Sequence, residues 1–461
     1  MNNYIFTIFT SMLLSFALSS NVITVNGDKT QVDITSNNLE SINFKIRTGD
    51  VFFTTMNTSD GDFTRISLPG LHKSSIIGNP ELPQINQLIE IPQDAIPRVN
   101  ITYDEFEDYK LIDFGINNKI FPTQPSLSKS QKLSDVKFII NEQSYTKSDF
   151  GNGTIVDVDI KGQLRAVRIA NVLIKPIQYN PSEGILRVYK NLEINIDFDE
   201  SNMQKTNLIK EKYDSPYFDA IYKNLINYSS ENRNNDFITY PVTYLIIAND
   251  AFESYLDDFI NWKTEKGFHV ITAYTSEVGS SGSAIESYIR NMYNNPPEGV
   301  SPPSFVLLVG DTNQLPESYS ADGHVSDNDY GDMTGDMMPE ILYGRFSAQT
   351  PNHLIPQIEK TIEYEKYEMP DPSFLSEVVM IAGVDASYAP TYGNGQINYG
   401  TDYYFNGQND LYSNTYLYPA SASSASQIKA DVSAGAGYVN YTAHGYEEGW
   451  ADPSFINSDV P

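Results

Sequence analysis

Across 461 residues the sequence has no cysteine. That excludes a disulfide framework, so the folded parts must be held by their apolar cores. Histidine is scarce as well, with five in all. His72, His269, His324 and His353 show no paired spacing of the kind zinc needs, which argues against a zinc hydrolase. Basic residues are outnumbered, 30 Lys and Arg against 59 Asp and Glu, giving a net charge of -29. Such a chain repels a phosphate backbone, so nucleic acid is not an expected partner. After the first 20 residues no apolar run is long enough to span a bilayer, so no transmembrane segment is expected. The turn in "VLLVGDTNQLPE" lacks the GxxxxGK pattern that cradles phosphate.

What the chain does have is aromatic residues, 32 Tyr and 23 Phe, and a length that suggests more than one domain. Its first 27 residues carry no charge, and "YIFTIFTSMLLSFALSS", with the small residues of Ala17-Leu18-Ser19 that a signal peptidase prefers, reads as a signal peptide over residues 1–20. Export to the cell surface or medium is the implied destination. From 21 to 200 short alternating runs are broken by Gly, Pro, Asn and Asp, which is all-β texture. In "LRVYKNLEINIDF", Leu186, Val188, Leu192, Ile194, Ile196 and Phe198 keep period two on either side of one irregularity. A sandwich-like antiparallel domain is expected there.

Residues 201–237 are polar and rich in Asn, Ser and Lys, the texture of a linker, and "SSENRNND" is a candidate site of proteolytic cleavage. From 238 to the end, continuous apolar runs such as "VTYLIIAND", "SFVLLVGD" and "EVVMIAGV" alternate with helical spacing, as in "SAIESYIRNMYNN". Strands buried on both faces and joined by helices predict a mostly parallel α/β sheet.

Ligands of such sheets sit beyond the carboxyl ends of the strands, which selects Asn249-Asp250, Gly310-Asp311, Asp385 and His444-Gly445. His444 is suited to proton transfer near neutral pH, and Gly445 lets the backbone approach a substrate and offer an N–H to an oxyanion. Asp385 is placed to fix the imidazole tautomer; its structural alternative is a helix cap, and that of His444 is a bond to a neighbouring loop. In "SDNDYGDMTGDMMPE" the residues Asp327, Asp329, Asp332, Asp336 and Glu340 offer hard oxygens for a structural calcium, although the later spacing does not fit an EF-hand.

With these residues in place, the chain from about 241 onward resembles the gingipain family of secreted cysteine peptidases. The segments "DDFINWKTEKG", "FVLLVGD", "SDNDYG", "ILYGRFS", "QIEKTIEYEK" and "GYVNYTAHGYEEGW" carry the likeness, and "GNPELPQINQLIEIP" resembles the family's β-rich pro-domain. The resemblance implies a caspase-like fold over 238–461 and no required cofactor. It also implies His444 and Asp385 as catalytic base and orienting acid, Gly445 as an oxyanion donor, and Gln396 and Trp450 at the substrate pocket. A neutral Gln396 would not favour a basic side chain at the cleaved bond. Protein or peptide substrates are implied, with the chain's own pro-domain as an intramolecular inhibitor. The family's nucleophile is a cysteine after the next strand; in caspases it lies roughly 50 residues past the histidine, and here 17 residues follow His444. The expectation is an incomplete peptidase domain lacking its nucleophile. The rival expectation is an inactive secreted binding or adhesion protein on the same scaffold.

Overall fold

The computed structural model of the chain describes residues 22–27, 29–125, 136–151, 153–228, 240–319, 325–386, 388–446 and 448–460. The expected signal peptide and the expected cleavage segment around 229–239 lie outside them. The described residues divide into two compact units, one made of those up to 355 and the other of those from 356 onward.

In the first unit the amino-terminal part is antiparallel β, as the alternation predicts. The long strand Ile185–Asp199 pairs with both Ser41–Arg47 and Ile96–Lys110. Its pairing shifts between Tyr189 and Leu192, which is the irregularity legible in the sequence. A second sheet runs through Pro83–Ile91, Val167–Ile174 and Val156–Leu164. Ile42, Phe44, Leu192 and Ile194 from one sheet share a dry core with Ile85, Ile89, Ala170 and Val172 from the other. Two sheets facing across one core make a sandwich.

Residues 203–228 depart from the linker expected of them. Met203–Tyr213 is a helix whose N-terminus is capped by Asn202, its side chain accepting the Lys205 N–H. Phe218, Tyr222 and Leu225 are buried against Leu164, Val167 and Ile169. Three apolar residues at intervals of four and three make one face, and Tyr213 stacked on Tyr293 and Asn227 bonded to the Glu90 backbone help dock a mostly polar stretch.

Beyond it comes a four-stranded parallel sheet in the order His269–Tyr274, Thr243–Ala248, Phe305–Val309, Leu342–Phe346. One face buries Leu245, Ile247, Val306 and Leu308 under Ile285 and Ile289 of the helix Gly282–Asn294. On the other face Tyr244, Phe259, Phe268 and Phe305 form a chain of ring contacts. Both faces are covered, which explains why these strands read as unbroken apolar runs. Among the described residues no helix is long and apolar enough to cross a membrane.

The second unit holds a three-stranded parallel sheet with Glu377–Ala382 at its centre, Tyr412–Tyr416 on one side and Tyr438–Thr442 on the other. Val379 and Ile381 point to Ile428 on the helix Ala425–Ala434, while Val378, Met380 and Ala382 pack on Ile397. A small antiparallel sheet of Gly445–Tyr446, Gly449–Trp450 and Phe455–Ile456 follows the last parallel strand.

Candidate active site

The carboxyl ends of the central and last strands of the second unit lie side by side, with Ala382 paired to Thr442. The Gly383 N–H extends the ladder by one more bond, donating to the Thr442 carbonyl at 3.1 Å. No side chain fits at Gly383, where a Cβ would meet the Asp452 carbonyl oxygen at 2.7 Å. This close approach brings the residue two past Gly383, Asp385, to the residue two past Thr442, His444. Asp385 Oδ2 and His444 Nε2 are 2.7 Å apart. A carboxylate only accepts, so the bond puts the proton on Nε2 and leaves Nδ1 as the nitrogen able to face a nucleophile.

Each partner is held independently. The other carboxylate oxygen of Asp385 accepts the Tyr388 N–H at 3.0 Å, so one side chain bonds both the imidazole and a backbone N–H. The His444 carbonyl accepts the Tyr441 hydroxyl at 2.8 Å and the Ala451 N–H at 2.9 Å. Tyr441 lies flat on Trp450, with ring centroids 4.4 Å apart and planes within 2°. Trp450 in turn packs on Phe455. The imidazole is 35% exposed and the Asp385 carboxyl 16%, so the pair is reachable from solvent on the histidine side.

The other residues singled out from sequence fare unequally. Gly445 opens the small sheet opposite Trp450. Trp450 is partly buried in the aromatic stack. Gln396 is exposed on the helix Asn394–Tyr403. Sequence reasoning missed Tyr441 and Asp452: the Tyr441 hydroxyl lies in hydrogen-bond reach of the Asp452 carbonyl and accepts the Asp452 N–H, which ties the loop after the histidine together; the only signal was a Tyr in the last parallel strand.

Of the five acidic candidates, only three come together: Asp332, Asp336 and Glu340, with ligand atoms within 4.8 Å of one another. Asp329 is exposed. Asp327 is engaged elsewhere, accepting two bonds of 2.8 Å from the Arg345 guanidinium. The three that converge already accept from backbone N–H groups: Asp332 from Gly335 and Met337, Glu340 from Met333 and Thr334, and Asp336 from Met338 and Gln163. Burial, with the neighbouring Asp336 and Asp332, pushes Glu340 up to about 7. Each of the three thus turns carboxylate oxygens toward backbone N–H donors.

A histidine bonded to a carboxylate at the carboxyl ends of adjacent parallel strands lies where α/β sheets hold their ligands, and such a pair is chemically able to move a proton. Comparison with known proteins narrows the class. Peptidase family C25 matches residues 238–460, and the C25 propeptide matches residues 23–228. Lys-gingipain of Porphyromonas gingivalis is 33% identical over 441 residues, covering 95% of this chain and 25% of that protein. Gingipain R1 of the same organism is 26% identical over 397 residues, covering 83% of this chain and 38% of that protein. Among solved structures, one addressing the zymogenic latency of gingipain K of Porphyromonas gingivalis shares 31% identity. It covers 39% of this chain and 97% of that chain, with a TM-score of 0.36. The Arg-specific cysteine proteinase gingipain R shares 24%, covering 48% and 50%, with a TM-score of 0.41. The chain belongs to the gingipain family, the C25 cysteine peptidases, and contains its propeptide and peptidase regions. It spans about a quarter of the length of the Lys-gingipains that it matches and has no cysteine of its own.

Proposed function

We propose that this chain forms part of an exported cysteine endopeptidase made as a zymogen, with the nucleophilic Cys supplied from outside these 461 residues. The observation that carries the reading is the 2.7 Å bond between His444 Nε2 and Asp385 Oδ2. In the proposed reaction His444 Nδ1 takes the thiol proton, the thiolate attacks the scissile carbonyl, and the same nitrogen returns the proton to the leaving amine. The acyl-enzyme is then hydrolysed by water. Asp385 holds the tautomer that makes this possible and stabilises the imidazolium. Gly445 supplies an N–H toward the oxyanion.

Residues 23–228 act as the inhibitory propeptide in this reading, and the segment at 229–239 is where cleavage would release them. The neutral Gln396 is kept as a pocket residue, so cleavage after a basic residue is not implied. Trp450 serves by positioning the histidine loop through Tyr441 rather than by touching substrate. Calcium stays outside the proposal, because the three converging carboxylates already accept backbone N–H groups, from their own loop and, at Asp336, from Gln163. The test is to express the complete reading frame with and without His444→Ala and assay a mixed peptide library. Cleavage abolished by the substitution and by a thiol-alkylating reagent supports the reading, and a full-length protein that has no Cys and no activity overturns it.

A further inference from the structure

The tight turn joining Val156–Leu164 to Val167–Ile174 holds an arginine where the backbone favours glycine: Arg165 has φ 51°. Its side chain is nonetheless 1% exposed, among the most buried in the described chain. Among the described residues no carboxylate forms an ion pair with it. One guanidinium nitrogen donates to the carbonyls of Pro303 at 2.7 Å and Glu340 at 3.0 Å, and the other to Pro302 at 3.1 Å. The planar cation also lies over Phe218 and Tyr293, 5.2 and 5.7 Å from the ring centres.

Two more features of the same turn fit the same surface. The Gln163 N–H donates to Asp336 Oδ2 at 2.6 Å. At Gly162 a Cβ would come within 2.1 Å of that oxygen, so only glycine allows the approach. The turn lies in the region matched by the C25 propeptide, while Tyr293, Pro302, Pro303, Asp336 and Glu340 lie in the region matched by the peptidase. A buried guanidinium met by carbonyls and a ring, at a strained backbone position, is a costly arrangement for the propeptide's own stability. Its partners are almost all across the boundary.

We infer that Tyr293, the carbonyls of Pro302, Pro303 and Glu340, and the Asp336 carboxylate form a receptor for an arginine-bearing tight turn. Residues 162–166 of the propeptide occupy it, and it holds the propeptide on the peptidase region after the connecting segment is cut. The inference rests on the reading of 23–228 as a propeptide. Lysine cannot replace the arginine, because one ammonium does not serve three carbonyls in a plane while stacking on a ring.

The test inserts a recognition sequence for a site-specific endoprotease within 229–239 of the 461-residue chain, cuts it, and measures release of the amino-terminal fragment by size exclusion over time. The nicked wild type is expected to stay associated. Arg165→Lys and Asp336→Ala are each expected to release the fragment at least tenfold faster, while Arg187→Ala, whose arginine pairs with Asp108 inside the propeptide, leaves the rate unchanged. Asp336→Ala alters the receptor and not the turn, so faster release there is not the result of a misfolded propeptide. A wild-type rate in either Arg165→Lys or Asp336→Ala overturns the receptor assignment. Immediate separation of the nicked wild type overturns the propeptide reading itself.

Discussion

A carboxylate can only accept a hydrogen bond, and that constraint gives Asp385 its leverage over His444. Replacing it by Asn keeps the shape but offers an N–H to Nε2, which favours the tautomer with its proton on Nδ1 and removes the base from the nucleophile. In the full-length protein Asp385→Asn is expected to lower kcat by about 10²–10⁴, with KM little changed in steady-state assays. Tyr441→Phe removes the hydroxyl that the carbonyls of His444 and Asp452 accept. It should cost on the order of 1 kcal/mol in thermal unfolding, and an unchanged Tm would mean that the hydroxyl does not fasten the loop. Glu340 carries a pH signature. Its folded value is raised from 4.5 to about 7, so the folded state binds a proton that the unfolded state does not between those values. Stability therefore falls as pH rises through that window. Calorimetry of Glu340→Gln at intervals across it should show a flatter profile than wild type; an identical slope would contradict the assignment.

At the scale of elements, the histidine depends on a short aromatic sheet more than on its own strand. Trp450 bridges Tyr441 and Phe455, and Trp450→Ala should cost about 3 kcal/mol, the lower end of such truncations because the ring is only partly buried. Loss of activity without loss of stability in that variant would instead point to substrate contact. The elements themselves were largely legible in the sequence, because period-two alternation and unbroken apolar runs follow directly from one-sided and two-sided burial; even the shift at Tyr189–Leu192 showed as a break in period. The stretch 203–228 was not, since it is docked by a few scattered apolar and aromatic residues and by Asn227 in a polar text. The pairing of Asp385 with His444 across 59 positions needed the sheet order, which no local spacing contains. The acidic loop misled for a related reason: five carboxylates are close in sequence, but which of them turn inward is decided by backbone N–H groups and by Arg345.

At the largest scale, these 461 residues hold a propeptide region and a peptidase region in one acidic, cysteine-free chain. Family membership gives the chemistry its class, and the geometry pairs His444 with Asp385. Neither contains the nucleophile, so the account stands on the claim that His444 is a base awaiting a thiol. The most direct measurement is peptide cleavage by the complete protein, cut in the 229–239 segment, for wild type and His444→Ala with and without a thiol-alkylating reagent. The account expects activity in untreated wild type alone. Activity that survives alkylation, or that persists in His444→Ala, would contradict it.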